Sequence, residues 1–196
     1  MGNIANPLGF TPPEFCSWEG RFDDPSKIFR TLYCAEQSLT CLREKLADFR
    51  PSLKALKEAG MESVSSIPGA WRATYALAPA VLRILSGDLI RIDDPGARRE
   101  LETELRDFML DLGVEHLDMG EIQGGDRRPT QAIAQTLYRW GAAGVVYRSK
   151  LDNEICLALF EGRAELLPSG EVRKLSDPLL ELEKVCREFR LSLDRS

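Results

Sequence analysis

The chain has 196 residues, 43% hydrophobic and 29% charged, which suits one globular domain with a sizeable core. Its net charge of −5 argues against nucleic-acid binding as the main activity, because phosphate backbones select clustered Lys and Arg. No stretch approaches the roughly 20 apolar residues of a membrane span. The start, Met1-Gly2-Asn3-Ile4-Ala5-Asn6, lacks the basic flank and apolar run of a signal peptide and the sixth residue of a myristoylation signal.

Residues 1–30 are rich in Pro, Gly, Asp and Asn, and read as an irregular arm anchored by Phe10, Phe15, Trp18 and Phe22. Arg30 to Cys34 reads as a short strand. Ser38 to Phe49 reads as a helix with Leu39, Leu42, Leu46 and Phe49 on one face, ended by Pro51. Trp71–Leu77 and Val81–Leu85 have strand character, and a Ser86-Gly87-Asp88 turn leads to Leu89–Ile92. Asp94 and Pro95 supply an N-cap and a first-turn residue for a helix carrying Leu101, Leu105, Phe108, Met109 and Leu112, stopped by Gly113.

Residues 117–128 read as a loop, and a helix follows from Pro129 or Thr130 with Ile133, Leu137 and Trp140 inward. Strands are expected at Val145–Arg148, Ile155–Phe160 and Ala164–Leu167. Asp177-Pro178 opens a last helix with Leu179, Leu182, Cys186 and Phe189 on its core face. The order predicts an α+β fold without regular βαβ alternation. Five dispersed cysteines with no CxxC pair point to reduced thiols in a cytoplasm, with Cys34, Cys156 and Cys186 as small buried hydrophobes.

Gly20-Arg21-Phe22-Asp23-Asp24-Pro25, Arg30-Thr31-Leu32-Tyr33-Cys34-Ala35-Glu36 and Leu42-Arg43-Glu44 resemble the N-terminal half of a RES domain. Arg128-Pro129-Thr130-Gln131-Ala132-Ile133-Ala134, Gly144-Val145-Val146-Tyr147-Arg148-Ser149 and Asn153-Glu154-Ile155-Cys156-Leu157-Ala158-Leu159-Phe160 resemble its C-terminal half. The resemblance spans roughly residues 17–167. It implies a single domain with an ADP-ribosyltransferase-like twisted β core, an N-terminal arm at 1–16 and a NAD-binding domain at 17–196. It further implies consumption of NAD by hydrolysis, phosphorolysis or ADP-ribosyl transfer to protein. The implied context is the toxin of a toxin–antitoxin pair, restrained by a helix-turn-helix antitoxin, with no metal. The oligomeric state stays open.

The chemistry of the residues is compatible with that activity. Cleaving the nicotinamide–ribose bond passes through an oxocarbenium-like state, as glycoside hydrolysis does, but nicotinamide leaves neutral and needs no proton from an acid. A chain whose one histidine is His116 suits this. The resemblance assigns Glu44 as the negative charge beside the sugar cation. With roughly 100° per residue, Glu44 lies about 140–160° from Leu39, Leu42 and Leu46, off the core stripe. Position alone reads it as a solvated glutamate, and Glu36 is the rival carboxylate.

Arg21 offers a planar fork for a diphosphate, or a surface ion pair with Asp23 or Asp24. Tyr33 can stack on nicotinamide or bond a ribose, or be a half-buried strand tyrosine. Ser149 can meet ribose or the carboxamide, or be a turn serine; no histidine in its sequence context activates it as a nucleophile. RES domains also carry an arginine upstream of Gly-Arg-Phe. Residues 1–20 contain no Arg or Lys, so Arg30 or Arg148 would have to substitute, or the domain binds without turnover.

Other signals have plainer readings. Gly124-Gly125 with Arg127 and Arg128 lacks the order of a P-loop and reads as a surface turn. Asp23-Asp24 and Asp93-Asp94 precede prolines and suit turn or capping duty. His116 with Glu115 and Asp118 does not make up a metal site. The apolar faces at 101–112 and 179–189 read as core.

Overall fold

A computed structural model describes residues 2–59 and 65–194. In chain order the elements are β1 (Gly2–Asn3), β2 (Thr31–Ala35), α1 (Ser38–Leu46), α2 (Leu53–Ala59), β3 (Ser65–Ile67), α3 (Gly69–Ala73) and β4 (Tyr75–Leu77). They continue with β5 (Ala80–Ile84), β6 (Leu89–Arg91), α4 (Pro95–Glu104), α5 (Arg106–Asp111), α6 (Met119–Gln123) and α7 (Arg128–Arg139). The last are β7 (Gly144–Arg148), β8 (Ile155–Phe160), β9 (Ala164–Pro168), β10 (Arg173–Lys174), α8 (Leu180–Phe189) and β11 (Leu191–Leu193). Helices and strands are mixed, as an α+β reading requires.

The chain forms two compact units, each discontinuous in sequence. The first comprises residues 1–8, 36–80 and 168–196, and the second residues 9–35 and 81–167.

In the second unit, a four-stranded sheet runs in the order β2-β8-β7-β6. β8 is antiparallel to both neighbours, with Tyr33 opposite Ala158 and Val145 opposite the same residue. β6 is parallel to β7, a pairing that needs the long crossover through α4 to α7. The core beneath the sheet gathers Phe22, Phe29, Leu101, Ile133, Leu137 and Phe160, all buried. α7 presents Ile133, Leu137 and their small neighbours Ala132 and Ala134 inward, as the 3.6-residue period dictates.

In the first unit, β4 lies between β1 and β10, antiparallel to both, and β11 runs parallel to β3. α1 packs against α8. Leu42 and Leu46 from the one, and Leu182, Val185 and Cys186 from the other, are buried.

Several expectations are corrected. Trp71–Ala73 is helical, because Pro68 caps α3 and the turn brings Trp71 onto Phe49 at 5.1 Å and Tyr75 at 4.6 Å between ring centroids. The helix after Asp94 breaks at Leu105 into two segments, although Asp94 caps it through Ala97 N–H at 2.9 Å and Gly113 ends it at φ +76°. Residues 119–123, expected as loop, form α6 because Asp118 accepts the N–H groups of Gly120 and Glu121. Trp140 is 47% exposed and Phe15 75% exposed, so neither joins the core. Cys34 is half-buried, whereas Cys156 and Cys186 are buried, and burial pushes the Cys186 thiol up to about 11. Among the described residues no helix is long and apolar enough to cross a membrane.

Candidate functional site

The second unit holds three of the four residues singled out from sequence: Arg21, Tyr33 and Ser149. The segment carrying Arg21 is irregular, and its conformation is fixed by bonds from several elements. Tyr33, on β2, donates its hydroxyl to Asp23 Oδ1 at 2.9 Å and accepts the N–H of Phe22 at 2.8 Å. Asp23 Oδ2 accepts the N–H of Gly20 at 2.7 Å. The closure is tight: a Cβ on Gly20 would lie 2.6 Å from the Tyr33 hydroxyl and 2.7 Å from Asp23 Oδ2. Thr31 donates to the Phe22 carbonyl at 2.8 Å, and the Phe22 ring, fully buried, meets Tyr147 at 4.9 Å.

Burial, reinforced by the charge of Asp23, holds the Tyr33 phenol well above the ordinary tyrosine value of 10.0. The phenol therefore stays protonated and serves as the fastener of this loop. Its hydroxyl is engaged within the protein, and the side chain packs, partly buried, against the core.

The Arg21 guanidinium is half-buried. One of its terminal nitrogens donates to the carbonyls of Ile122 and Gly124, the latter at 3.2 Å. These carbonyls belong to the C-terminal end of α6, where helix carbonyls lack internal partners and carry partial negative charge. Asp23 serves Gly20 and Tyr33. Asp24, fully buried, accepts from Ser26 N at 2.9 Å, Ile28 N at 2.6 Å and Gln135 Nε2 at 2.7 Å. This is the turn duty expected of it.

Ser149, 1% exposed, follows β7 and organises the turn into β8. Its Oγ accepts the N–H of Leu151 at 3.1 Å, its carbonyl accepts that of Asn153, and its N–H donates to Glu154. That bonding is the turn arrangement weighed from sequence.

Glu44 belongs to the first unit. It lies on the exposed side of α1, while Leu42 and Leu46 are buried, in agreement with the angular reading. Its neighbour Arg43 is held by Glu188 of α8 in a bidentate pair, with both N–O distances 2.9 Å. Glu36 is also exposed in this unit.

The two substitute arginines are engaged. Arg30 grips Glu161 bidentately and donates to the Thr11 carbonyl at 2.9 Å. The hydrogen bond from Arg30 lowers the Glu161 carboxyl below its usual range. Arg148 reaches Asp93 at 3.2 Å and the Asn153 carbonyl at 3.1 Å. Burial pushes Asp93 upward, but hydrogen bonds from Arg91 and Arg148 outweigh it and leave the carboxyl lowered. An open groove of about 470 Å³ lies between Leu89–Arg91 and Asp93–Ala97, and none of the four singled-out residues lines it. His116 is exposed, and among the described residues no group of three His, Cys, Asp or Glu is placed to hold a metal ion.

Sequence reasoning missed Gln131 and Gln135 as functional candidates. They lie one turn apart on α7 and donate to the Arg21 segment: Gln131 to the carbonyls of Gly20 at 3.2 Å and Trp18 at 3.5 Å, Gln135 to Asp24 and to Ser26 Oγ at 3.1 Å. The available signal was their spacing of four on an otherwise apolar helix face.

No curated protein matches. A chain of the crystal structure of the M. tuberculosis MbcT–MbcA toxin–antitoxin complex is similar at 16% identity, covering 87% of this chain and 76% of that one, with a TM-score of 0.47. The family model of the RES domain matches residues 5–177. That match takes in every segment quoted above from Gly20 to Phe160, and the chain belongs to the RES domain family.

Proposed function

We propose that this RES protein consumes NAD by breaking the bond between nicotinamide and ribose, with water or phosphate as acceptor. In that reaction the electron pair of the C1′–N bond leaves with nicotinamide. An acceptor oxygen then bonds C1′ and loses its proton to solvent. The protein's part is to hold the dinucleotide and to offset positive charge on the sugar. We assign Arg21 to the diphosphate, the Tyr33 ring to stacking, Ser149 to binding the substrate, and Glu44 to the sugar cation.

The observation that carries this reading is the match to the RES family over residues 5–177. It is supported by the way the Gly20–Asp23 segment is held, since a fixed arginine loses little freedom when an anion binds. The biological setting we propose is a cytoplasmic toxin restrained by an antitoxin protein of the helix-turn-helix type, with protein ADP-ribosylation as the variant outcome of the same bond cleavage.

A second reading, binding without turnover, is favoured by one observation: both Arg30 and Arg148 are held by carboxylates and backbone carbonyls. Incubating the purified protein with NAD and measuring free nicotinamide separates the two. Sustained release supports cleavage, and NAD binding without release supports the second reading. Radiolabelled NAD that enters protein would instead identify the transferase outcome.

A further inference from the structure

Trp18 adopts φ +61°, a left-handed backbone conformation that a bulky side chain rarely takes. Such a conformation persists only where surrounding groups fix it, and strained backbone of this kind gathers at ligand-binding segments. Gln131 is a group that contacts the backbone of this stretch. Its amide nitrogen reaches the carbonyl of Trp18 at 3.5 Å and that of Gly20 at 3.2 Å, the residue directly before Arg21. One turn later Gln135 holds Asp24 and Ser26.

Two side chains of one helix therefore bind the start and the end of the loop that carries Arg21. α7 is a firm base for this, because Thr130, Ala132, Ile133, Ala134, Thr136 and Leu137 are all buried. The guanidinium itself is held at its far end by the α6 carbonyls. The arginine is thus fixed at both ends: through its backbone by Gln131 and through its head group by α6.

Resting on the NAD reading, we infer that Gln131 is a positioning residue for substrate binding, with Gln135 as its support. It acts through Arg21 and not by touching the dinucleotide. Its amide sets the direction in which the Arg21 side chain leaves the loop, and so where the fork meets a diphosphate. Because the diphosphate lies away from the breaking bond, loss of this positioning weakens binding in ground and transition states alike and appears in KM.

The test compares wild type, Gln131→Ala, Arg21→Ala and the double variant in nicotinamide release over a range of NAD concentrations. Gln131→Ala should raise KM about five- to tenfold, the loss of one or two neutral hydrogen bonds, with kcat within about threefold. In the Arg21→Ala background the same change should alter KM by less than about twofold, since the two act as one unit. Gln131→Met, similar in length but without the donor, should behave as Gln131→Ala and serves if the alanine variant folds poorly. An unchanged KM, or an equal rise with and without Arg21, overturns the inference.

A second readout does not depend on NAD. Hydrogen exchange at the amides of Gly20, Phe22 and Asp23 should quicken at least about fivefold in Gln131→Ala, with the melting temperature within about 4 °C of wild type. If wild type releases no nicotinamide, the NAD reading fails while exchange still decides the positioning role. Unaltered exchange at those three amides overturns it.

Discussion

Tyr33 and Asp23, ten residues apart, share a hydrogen bond of 2.9 Å from phenol to carboxylate, and the same phenol oxygen accepts the N–H of Phe22. A strand residue thereby fixes the segment that presents Arg21. Removing the hydroxyl in Tyr33→Phe leaves a donor and an acceptor unmatched in a largely buried place. The expected cost is about 1–3 kcal/mol of stability, measured by urea unfolding.

The same residue gives a pH dependence. The Tyr33 phenol is raised above its unfolded value of 10.0, so the folded state keeps its proton where the unfolded chain releases it. The stabilisation is complete below the unfolded value and is lost as pH rises toward the folded one. Unfolding free energy should fall above about pH 10, and Tyr33→Phe should remove that part of the slope. An alkaline limb identical in both proteins contradicts the assignment.

Gly20→Ala should destabilise the protein by about 1–3 kcal/mol, because its Cβ meets groups already bonded to each other. If the loop serves substrate binding, nicotinamide release at low NAD should fall beyond what the lost stability explains. Calorimetric melting run beside the assay makes the distinction.

Glu44→Gln is expected to leave stability within about 0.5 kcal/mol, since the side chain is on the exposed face of α1. It should reduce nicotinamide release about a hundredfold or more if its charge offsets the sugar cation. Cellular NAD measured after induction is the matching test in vivo. Depletion as fast as with wild type would sink the assignment.

Ser149→Ala removes the acceptor of the Leu151 N–H from a buried turn, at an expected cost of about 1 kcal/mol. The binding role assigned to this serine predicts a raised KM for NAD as well. A stability loss with unchanged KM would leave Ser149 with the turn alone.

At acid pH, Glu161 should matter through its lowered carboxyl, held by Arg30. A depressed carboxylate contributes stability above its unfolded value of 4.5 that is lost as pH falls through the folded one. The pair is partly exposed, so a double-mutant cycle on Arg30→Ala and Glu161→Ala should give only about 0.5–1 kcal/mol of coupling, vanishing at low pH.

The sequence made α1, α7, α8 and the strands β2, β7, β8 and β9 readable, because each has a clear apolar period or a capping signal. Trp71 misled because aromatic residues favour strands in general, whereas here Pro68 starts a helical turn and Phe49 receives the ring. Trp140 fell at the right period but at the end of α7, where the helix has run past its core. Arg21, Tyr33 and Ser149 were identifiable as candidates from their short motifs. Their partners were not. Arg21 bonds carbonyls 101 and 103 residues away, and a backbone carbonyl carries no residue identity to read. Stacking, a bond to ribose and a half-buried strand position were all open to Tyr33 from its sequence, and only three-dimensional closure of the Gly20–Asp23 loop shows its hydroxyl engaged by Phe22 and Asp23.

The discontinuous first unit has a consequence for the order of events during synthesis. Its strand β4 takes β1 from Gly2–Asn3 and β10 from Arg173–Lys174, and β3 takes β11 from Leu191–Leu193. A ribosome must therefore pass residue 193 before β3 can find its partner, whereas every segment of the other unit has been made once residue 167 is joined. A message truncated shortly before Arg173 would yield chains in which β3 lacks β11 and one side of β4 is unpaired, open edges of the kind that invite aggregation.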